Sequence, residues 1–274
     1  MSTRPLPTLK FIQEARRTHP YTLYDLLHGY IYARWPYLYI GIGTGEHPLA
    51  RAYKTIIHLF RFLLPPGKKS NQGKGSLADG YHGKVVPLEA ATQLVTIQEE
   101  IELKNLEQVI PFNRARDIIL KNPDHIVVIE CPCRASRPNP CRPLDVCLVI
   151  GEPFASMVIT YHPQRARWLT PEEAIEILHA EENRGHVHHA FFKDAMLNRF
   201  YAICNCCSCC CGAMHAQRNG TPMLISSGFV SSINEEMCNS CALCTETCPF
   251  GAISLKGKGG CAQVDTTTCM GCGI

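Results

Sequence analysis

The distribution of cysteine constrains this chain more than any other feature of its sequence. All 17 cysteines fall after residue 130 of the 274-residue chain. The N-terminal segment lacks the apolar core of a signal peptide, and the most apolar windows, at residues 37–43 and 56–64, are too short to span a bilayer. We therefore expect a cytoplasmic protein in which crowded cysteines are metal ligands rather than disulfides.

Four cysteines near the C-terminus have a spacing typical of an iron–sulfur site. Residues 238–249 read C-x2-C-x2-C-x3-C-P, with ligand candidates Cys238, Cys241, Cys244 and Cys248. Three cysteines at steps of three let a tight loop reach three corners of a cubane, while the cysteine before proline points away. Zinc is the alternative, but its paired cysteines usually lie about 15–20 residues apart. Here 27 residues separate Cys241 from Cys269.

The same spacing begins again at Cys269, at an offset of 31 residues, and the sequence ends before a third cysteine is reached. Region 233–274 resembles a bacterial-type two-cluster 4Fe–4S ferredoxin domain that is incomplete at its C-terminus. The resemblance implies two 4Fe–4S clusters in the complete domain. The implied ligands are Cys238, Cys241 and Cys244 for one cluster, and Cys248, Cys269 and Cys272 for the other. Cys261 lies where the repeat needs no ligand.

Ten further cysteines lie between residues 131 and 211. Six of them occupy the eight positions from 204 to 211, and thiols crowded in this way would oxidise or exchange unless they bind metal. The metal-ligand candidates are Cys131, Cys133, Cys141, Cys147, Cys204, Cys206, Cys207, Cys209, Cys210 and Cys211. If the run is extended, its side chains alternate between two faces. The predicted faces are Cys204, Cys206 and Cys210 on one side and Cys207, Cys209 and Cys211 on the other.

The upstream cysteines also carry a resemblance of their own. Their C-x-C-R segment, two later cysteines and CNCCxCCC run resemble the region before the ferredoxin domain in long iron–sulfur proteins of anaerobic prokaryotes, over roughly residues 125–225. This implies at least one more iron–sulfur cluster, with a zinc or copper thiolate site and redox-active thiols as alternatives. Arg134, Arg137 and Arg142 would stabilise thiolates or a reduced cluster, or else pair with Glu130 and Asp145.

Hydrophobic periodicity predicts an α+β fold in three regions: a basic, largely helical region with a linker (1–88), a cysteine-rich α/β platform (89–232) and the incomplete ferredoxin-like domain (233–274). We expect helices over most of 1–64, including an amphipathic one at 52–63, and a loop at 68–83. Further helices are expected over most of 88–110 and at 111–120. Strands are predicted at 126–130, 146–150 and 187–192. A capping box at Thr170 and Glu173 should begin a helix that ends at Gly185.

Charge is distributed unevenly along the chain. Residues 1–88 hold 12 Lys and Arg against 4 Asp and Glu, whereas residues 89–274 hold 15 against 20. The basic region could dock an acidic redox protein partner or contact an anionic membrane surface from outside, but no nucleic-acid-binding motif accompanies it. The glycines at 41–45 lack the third glycine of a dinucleotide fingerprint, and neither Gly-Lys pair at 73–84 has phosphate-loop spacing.

No pattern typical of a catalytic nucleophile is present. His186 and His188 share a face of a predicted strand, where hydrogen bonding competes with a ligand role. The carboxylates Glu172, Glu173, Glu181 and Glu182 are interpreted as helix charge rather than as catalytic groups. The sequence therefore predicts an anaerobic iron–sulfur protein that carries single electrons, as a module or subunit of a redox system rather than as a stand-alone enzyme. Two alternatives stay open: a reductase with a catalytic cluster upstream, and a zinc-organised interaction domain fused to a ferredoxin.

Overall fold

The computed structural model describes residues 6–18, 21–50, 81–103, 118–257 and 259–274. Within these ranges the chain is a mixture of helices and strands, as predicted. The helices are α1 (Pro7–Ala15), α2 (Leu23–Arg34), α3 (Pro36–Thr44), α4 (Leu88–Val95), α5 (Pro132–Ala135), α6 (Phe154–Tyr161), α7 (Pro171–Glu182), α8 (Gly212–Arg218) and α9 (Leu243–Thr247). The strands are β1 (Tyr81–Val85), β2 (Ile101–Leu103), β3 (Ile118–Leu120), β4 (Ile126–Glu130), β5 (Asp145–Ile150), β6 (Ala166–Leu169), β7 (Val187–Lys193), β8 (Arg199–Cys206), β9 (Leu224–Ile225), β10 (Ile253–Leu255) and β11 (Ala262–Val264).

Seven of these strands form a central sheet in the order β6–β4–β5–β8–β7–β1–β9. Neighbouring strands are antiparallel, except that β9 runs parallel to β1. Strands β4 and β5 are almost entirely buried and rich in β-branched residues, as expected for strands covered on both faces. The register sets Ile129 opposite Cys147, and Cys147 opposite Cys204. Residues directly opposite each other point to the same face, so both cysteines project from one side of the sheet.

Helices cover both faces of the central sheet. One hydrophobic core joins Phe11 of α1, Ala33 of α2, Met157 of α6 and Met214 of α8 to one face, and this core contains Cys147. The second core packs α4 and α7 against the opposite face, where no cysteine belongs to it among the residues described. The cysteine-bearing face therefore lies beneath the N-terminal helices.

Several sequence-based predictions of secondary structure are confirmed. The three predicted strands correspond to β4, β5 and β7, and α7 begins with the predicted capping box. In that box Glu173 N–H donates to Thr170 Oγ1, at 3.3 Å, while Thr170 N–H donates to the Glu173 carboxylate, at 2.9 Å. After α7, Gly185 has a φ of +73°, which glycine adopts at low cost.

Other predictions place the ends of helices and loops wrongly. The helix expected over most of 88–110 ends at Val95, and 101–103 forms β2, which pairs antiparallel with β3. Residues 118–120 were assigned to a helix, but the β-branched pair Ile118 and Ile119 favours the ladder instead. The loop expected to run to residue 83 stops short, because Tyr81 begins β1. The helix predicted at 52–63 lies outside the described residues, and the divisions at residues 88 and 232 stay predictions.

Candidate metal centres

Six of the upstream thiols form one connected, largely buried group, which we call the six-thiol group: Cys131, Cys133, Cys147, Cys204, Cys206 and Cys211. The Cys131 side chain contacts those of Cys133 and Cys147, and Cys147 in turn contacts Cys204. Cys211 contacts both Cys133 and Cys206, which closes the set. The fold thus brings together Cys131 and Cys211, which are 80 positions apart in the chain. The register of β5 with β8 places Cys147 beside Cys204, while Cys131 and Cys211 each lie immediately before a helix, α5 and α8.

A cavity of about 90 Å³ lies among these thiols. Its walls include all six cysteines and apolar or aromatic side chains such as Met157, Phe191 and Tyr201. The hydroxyl of Tyr201 lies 2.9 Å from that of Tyr32, which also lines the cavity. Protein interiors are usually close-packed, with few voids larger than one water molecule. An enclosed space walled by sulfur donors is therefore suited to a thiolate-bound inorganic group.

Mutual contact and burial raise the pKa of five of these thiols, Cys131, Cys133, Cys147, Cys206 and Cys211, and so favour their protonated form. The contact with Cys133, followed by burial, raises the pKa of Cys131 to about 12. At Cys206 the hydrogen bond with Cys211 opposes the effect of burial, and the pKa still rises to about 12. Because thiolates rather than thiols bind metals, loading this group must release protons and becomes more favourable as pH rises.

The other four upstream thiols form a second cluster, the four-thiol group: Cys141, Cys207, Cys209 and Cys210. Their four sulfurs all lie within 4.8 Å of one another. Cys141 and Cys209 are 2.9 Å apart between sulfurs, and Cys209 and Cys210 are 3.6 Å apart. Cys207 and Cys210 are buried whereas Cys209 is exposed, so this group lies at the protein surface.

The run of cysteines is extended only in its first part. Strand β8 ends at Cys206, and the chain then turns, with Cys211 N–H donating to the Cys207 carbonyl at 3.2 Å. The predicted alternation is therefore right for Cys204 and Cys206 but wrong at the end of the run. Cys210 joins Cys207 and Cys209, whereas Cys211 joins the strand cysteines, because a turn interrupts the period of two.

Arg134 and Glu181 form a buried ion pair between the two thiol groups. Arg134 Nη2 donates to Glu181 Oε2 at 2.6 Å, and both side chains are 1% exposed. The guanidinium also donates to the carbonyls of Asn205, at 3.0 Å, and Pro143, at 2.5 Å. Interpreting Glu181 only as helix charge misses this ion pair: its position on the inner face of α7 meets an arginine that the sequence places 47 residues away.

Arg137 and Glu130 each pair with a residue other than the one that the alternative suggests. Arg137 pairs with Glu46, and its Nη2 lies 3.5 Å from the Cys210 carbonyl. Glu130 instead faces Arg165, at 3.7 Å. Positive charge therefore stays close to the four-thiol group.

Two of the three histidines of the 185–189 segment make hydrogen bonds inside the protein. His186 Nδ1 lies 2.7 Å from Glu181 Oε2, and His188 Nδ1 lies 2.6 Å from Asn205 Oδ1. His189, for which the sequence predicts no role, is fully buried and lies directly opposite Cys204 in the pairing of β7 with β8. Both of its ring nitrogens lack a hydrogen-bond partner among the described residues, and burial lowers its pKa to about 3.

The C-terminal cysteine segment forms a small, exposed unit with backbone donors aimed at sulfur. Ala262 N–H donates to Cys238 Sγ at 3.4 Å, and Ala252 N–H donates to Cys248 Sγ at 3.3 Å. The tight loop requires left-handed backbone at Ala242, with a φ of +63°. Cys261 also contacts Cys238. Backbone N–H bonds to sulfur are one of the means by which proteins tune iron–sulfur clusters.

This C-terminal unit packs against the cysteine-bearing face of the sheet. Phe250, Met270, Cys272 and Ile274 lie against the same hydrophobic core that contains Cys147. The ring of Phe250 meets that of His189 with centroids 6.5 Å apart. Two hydrogen bonds from Ser227 add to the contact. Its backbone N–H donates to the Met270 carbonyl at 3.0 Å, and its Oγ donates to the Gly271 carbonyl at 2.7 Å.

A family model for a 4Fe–4S binding domain matches residues 232–254. This match contains the C-x2-C-x2-C-x3-C-P run and implies binding of a 4Fe–4S cluster there. Searches of curated proteins and of solved structures found no match to the chain. With a second region of clustered cysteines upstream, these findings indicate an iron–sulfur electron-transfer protein. No helix in the described part of the chain combines the length and apolar character needed to cross a bilayer.

Proposed function

We propose that the protein carries single electrons between a ferredoxin-type unit at its C-terminus and a further iron–sulfur centre in the six-thiol group. The observation that carries the proposal is the packing of Cys272 and Phe250 against the core that holds Cys147. Electron transfer needs redox centres separated by packed protein rather than by water. A 4Fe–4S cluster, when bound, supplies reversible one-electron chemistry at potentials set by its ligands and surroundings.

The ferredoxin unit is proposed to hold two clusters in the bacterial arrangement. Its proposed ligands are Cys238, Cys241 and Cys244 for one and Cys248, Cys269 and Cys272 for the other. The residues fit such a role, because the C-x2-C-x2-C loop has the required left-handed residues and N–H donors reach Cys238 and Cys248. Each set would need one further ligand.

The six-thiol group is proposed to hold the upstream cluster. It has more thiols than the four that a cubane requires, and these thiols border an enclosed space. The protein would contribute burial, which excludes water, and the nearby guanidinium of Arg134, which offsets the negative charge of thiolate ligands. Both factors act on the reduction potential.

The experiment that tests this proposal is metal and sulfide analysis with electron paramagnetic resonance of anaerobically purified, dithionite-reduced protein. Cys204→Ser should remove the upstream cluster while leaving the ferredoxin signal. The wild type should show signal broadening from interacting centres, and the variant should lose it. An unchanged iron and sulfide content in Cys204→Ser would overturn the upstream assignment. Absence of iron and sulfide from the wild type would overturn the whole proposal.

A place in an anaerobic redox system, with the basic N-terminal region as the docking surface, forms part of the same proposal. Arg16 and Arg17 are exposed immediately after α1. Charge reversal at both positions should slow reduction by an acidic ferredoxin at low salt, and added salt should abolish the difference between variant and wild type. Equal rates at low salt would refute docking through these residues.

A reductase is the second candidate, and the cavity favours it. Space beside the thiols and the paired hydroxyls of Tyr32 and Tyr201 would suit a small substrate that needs protons as well as electrons. Burial raises the pKa of Tyr32 well above its ordinary value, so this phenol stays protonated at neutral pH. Substrate-dependent oxidation of the reduced protein, without a protein partner, would favour this function.

A further inference from the structure

The ten upstream cysteines fall into two groups of different geometry. The thiols of the six-thiol group contact one another in sequence around a cavity, whereas the four sulfurs of Cys141, Cys207, Cys209 and Cys210 all lie within 4.8 Å of one another. Among the residues that the structure describes, this is the one set of three or more candidate ligands whose donor atoms all lie within 4.8 Å of each other. The cysteines of the ferredoxin-type loop do not meet that limit, although they have the spacing of cubane ligands.

We infer that Cys141, Cys207, Cys209 and Cys210 bind a single zinc ion, separate from any iron–sulfur cluster. Zinc prefers four tetrahedral ligands with a Zn–S distance of about 2.3 Å, which places the sulfurs about 3.8 Å apart. Two of the separations, 2.9 Å for Cys141 with Cys209 and 3.6 Å for Cys209 with Cys210, are shorter than that value, and all of them are at most 4.8 Å, so small outward shifts of the sulfurs would make room for one ion. A cubane binds each thiolate at a different corner, so its ligands must stand farther apart than those of one ion.

The backbone around the four sulfurs is fixed by hydrogen bonds that do not use the thiols. His215 Nε2 lies 2.8 Å from the Cys209 carbonyl, and Arg218 donates to the carbonyl of Ser208. On the other side, Arg134 donates to the Pro143 carbonyl, two residues beyond Cys141. The segments that carry the ligands are thus held by the chain, and the thiols contact chiefly one another.

Charge around the group also suits a four-thiolate zinc site. Binding of Zn²⁺ by four thiols releases four protons and leaves a site with a net charge of −2. The guanidinium of Arg134 interacts electrostatically with Cys207, and that of Arg137 approaches the Cys210 carbonyl. Both guanidiniums also pair with carboxylates, Arg134 with Glu181 and Arg137 with Glu46. All four coordination positions of the ion are filled by protein, as in structural rather than catalytic zinc sites.

The proposed ion would act as a structural clamp. Cys141 belongs to the loop between α5 and β5, and the other three ligands belong to the turn after β8. Bonding them to one ion ties together two segments that flank the six-thiol group. The inference does not depend on electron transfer, because the clamp needs neither iron nor a redox partner.

The test is the content of zinc, iron and sulfide per chain in anaerobically purified full-length variants. Cys209→Ser should lose one zinc per chain and keep the wild-type iron and sulfide. Ser208→Ala, in the same turn but with no thiol, is the matched control and should keep all three. Cys204→Ser should show the reciprocal pattern, with zinc kept. Loss of iron, with or without sulfide, from Cys209→Ser would overturn the inference, as would a wild type without zinc.

Zinc K-edge X-ray absorption on the wild type provides a readout that does not require a variant to fold. It should show four sulfur neighbours at about 2.3 Å. Oxygen or nitrogen in place of two or more sulfurs would mean adventitious zinc and would also overturn the assignment. A protein that contains zinc but no iron would refute the proposed electron-transfer function while leaving this inference intact, so the two failures are distinguishable.

Discussion

Replacing Glu181 by glutamine should destabilise the protein strongly, because it leaves the guanidinium of Arg134 buried without its counter-charge. Glu181 accepts from Arg134 at 2.6 Å and from Arg184 at 3.0 Å, and its own side chain is 1% exposed. Removing one partner of a buried ion pair typically costs about 3–5 kcal/mol. Glutamine retains one acceptor oxygen, so we expect a loss near the lower end, about 3 kcal/mol.

The assay is anaerobic guanidinium chloride unfolding, followed by circular dichroism. With a slope of about 4 kcal/mol per M, a loss of about 3 kcal/mol lowers the midpoint by roughly 0.7 M. Glu176→Gln, an exposed position on the same helix, is the control and should change stability by no more than about 0.5 kcal/mol. Equal midpoints for the two variants would refute the view that the buried pair stabilises this fold.

Two further predictions follow from packing and burial. Burial lowers the pKa of Lys193 from 10.5 to about 7, so between pH 7 and 10.5 the unfolded chain binds more protons than the folded one. Wild type should therefore gain stability relative to Lys193→Met as pH rises from 7 to 9. The gain should be below the one-proton limit of about 1.4 kcal/mol per pH unit, because the Tyr32 ring lies 4.0 Å from the ammonium and favours its charged form. Denaturant unfolding of both proteins at pH 7 and pH 9 measures this gain. A difference in unfolding free energy between wild type and variant that is the same at both pH values would contradict the prediction. Gly29→Ala should destabilise the protein, because a Cβ there would lie 1.9 Å from the Ala195 carbonyl oxygen. Gly43→Ala, whose Cβ would have no atom within 4 Å, should stabilise α3 by about 0.5–1 kcal/mol. Thermal unfolding should therefore give a lower melting temperature for Gly29→Ala and a higher one for Gly43→Ala.

The sequence predicts those features whose residues lie close together in the chain. The iron–sulfur motif is contiguous from Cys238 to Cys248, so its spacing alone indicates a cubane loop. The capping box needs only Thr170 and Glu173, three residues apart, and the burial of β4 follows from an unbroken apolar run. In each case one short segment contains both the signal and the physical cause.

Features that depend on two distant segments could not be predicted in the same way. The ion pair between Arg134 and Glu181 joins residues 47 positions apart, and the sequence contains no local signal that α7 turns this carboxylate inward. Strand β3 pairs antiparallel with β2, a partner that lies about 17 residues earlier in the chain. Local periodicity favoured a helix there, and the tertiary pairing overrode it.

The division of the CNCCxCCC run shows why crowded cysteines need a structure before they can be assigned to sites. Cys206 and Cys207 are consecutive and both line the cavity, yet the Cys206 thiol contacts that of Cys211 whereas the Cys207 sulfur lies with those of the four-thiol group. The strand imposes its alternation as far as Cys206, and the turn that follows imposes a different direction on each later sulfur. Under the proposed assignment, a zinc ion that fixes this turn also fixes the peptide bond that joins the two sites. Its removal by a chelator under anaerobic conditions should therefore loosen Cys206 and Cys211 together while the upstream cluster keeps its iron and sulfide, as in Cys209→Ser, and the ferredoxin-type loop, which shares no ligand segment with the turn, should not change.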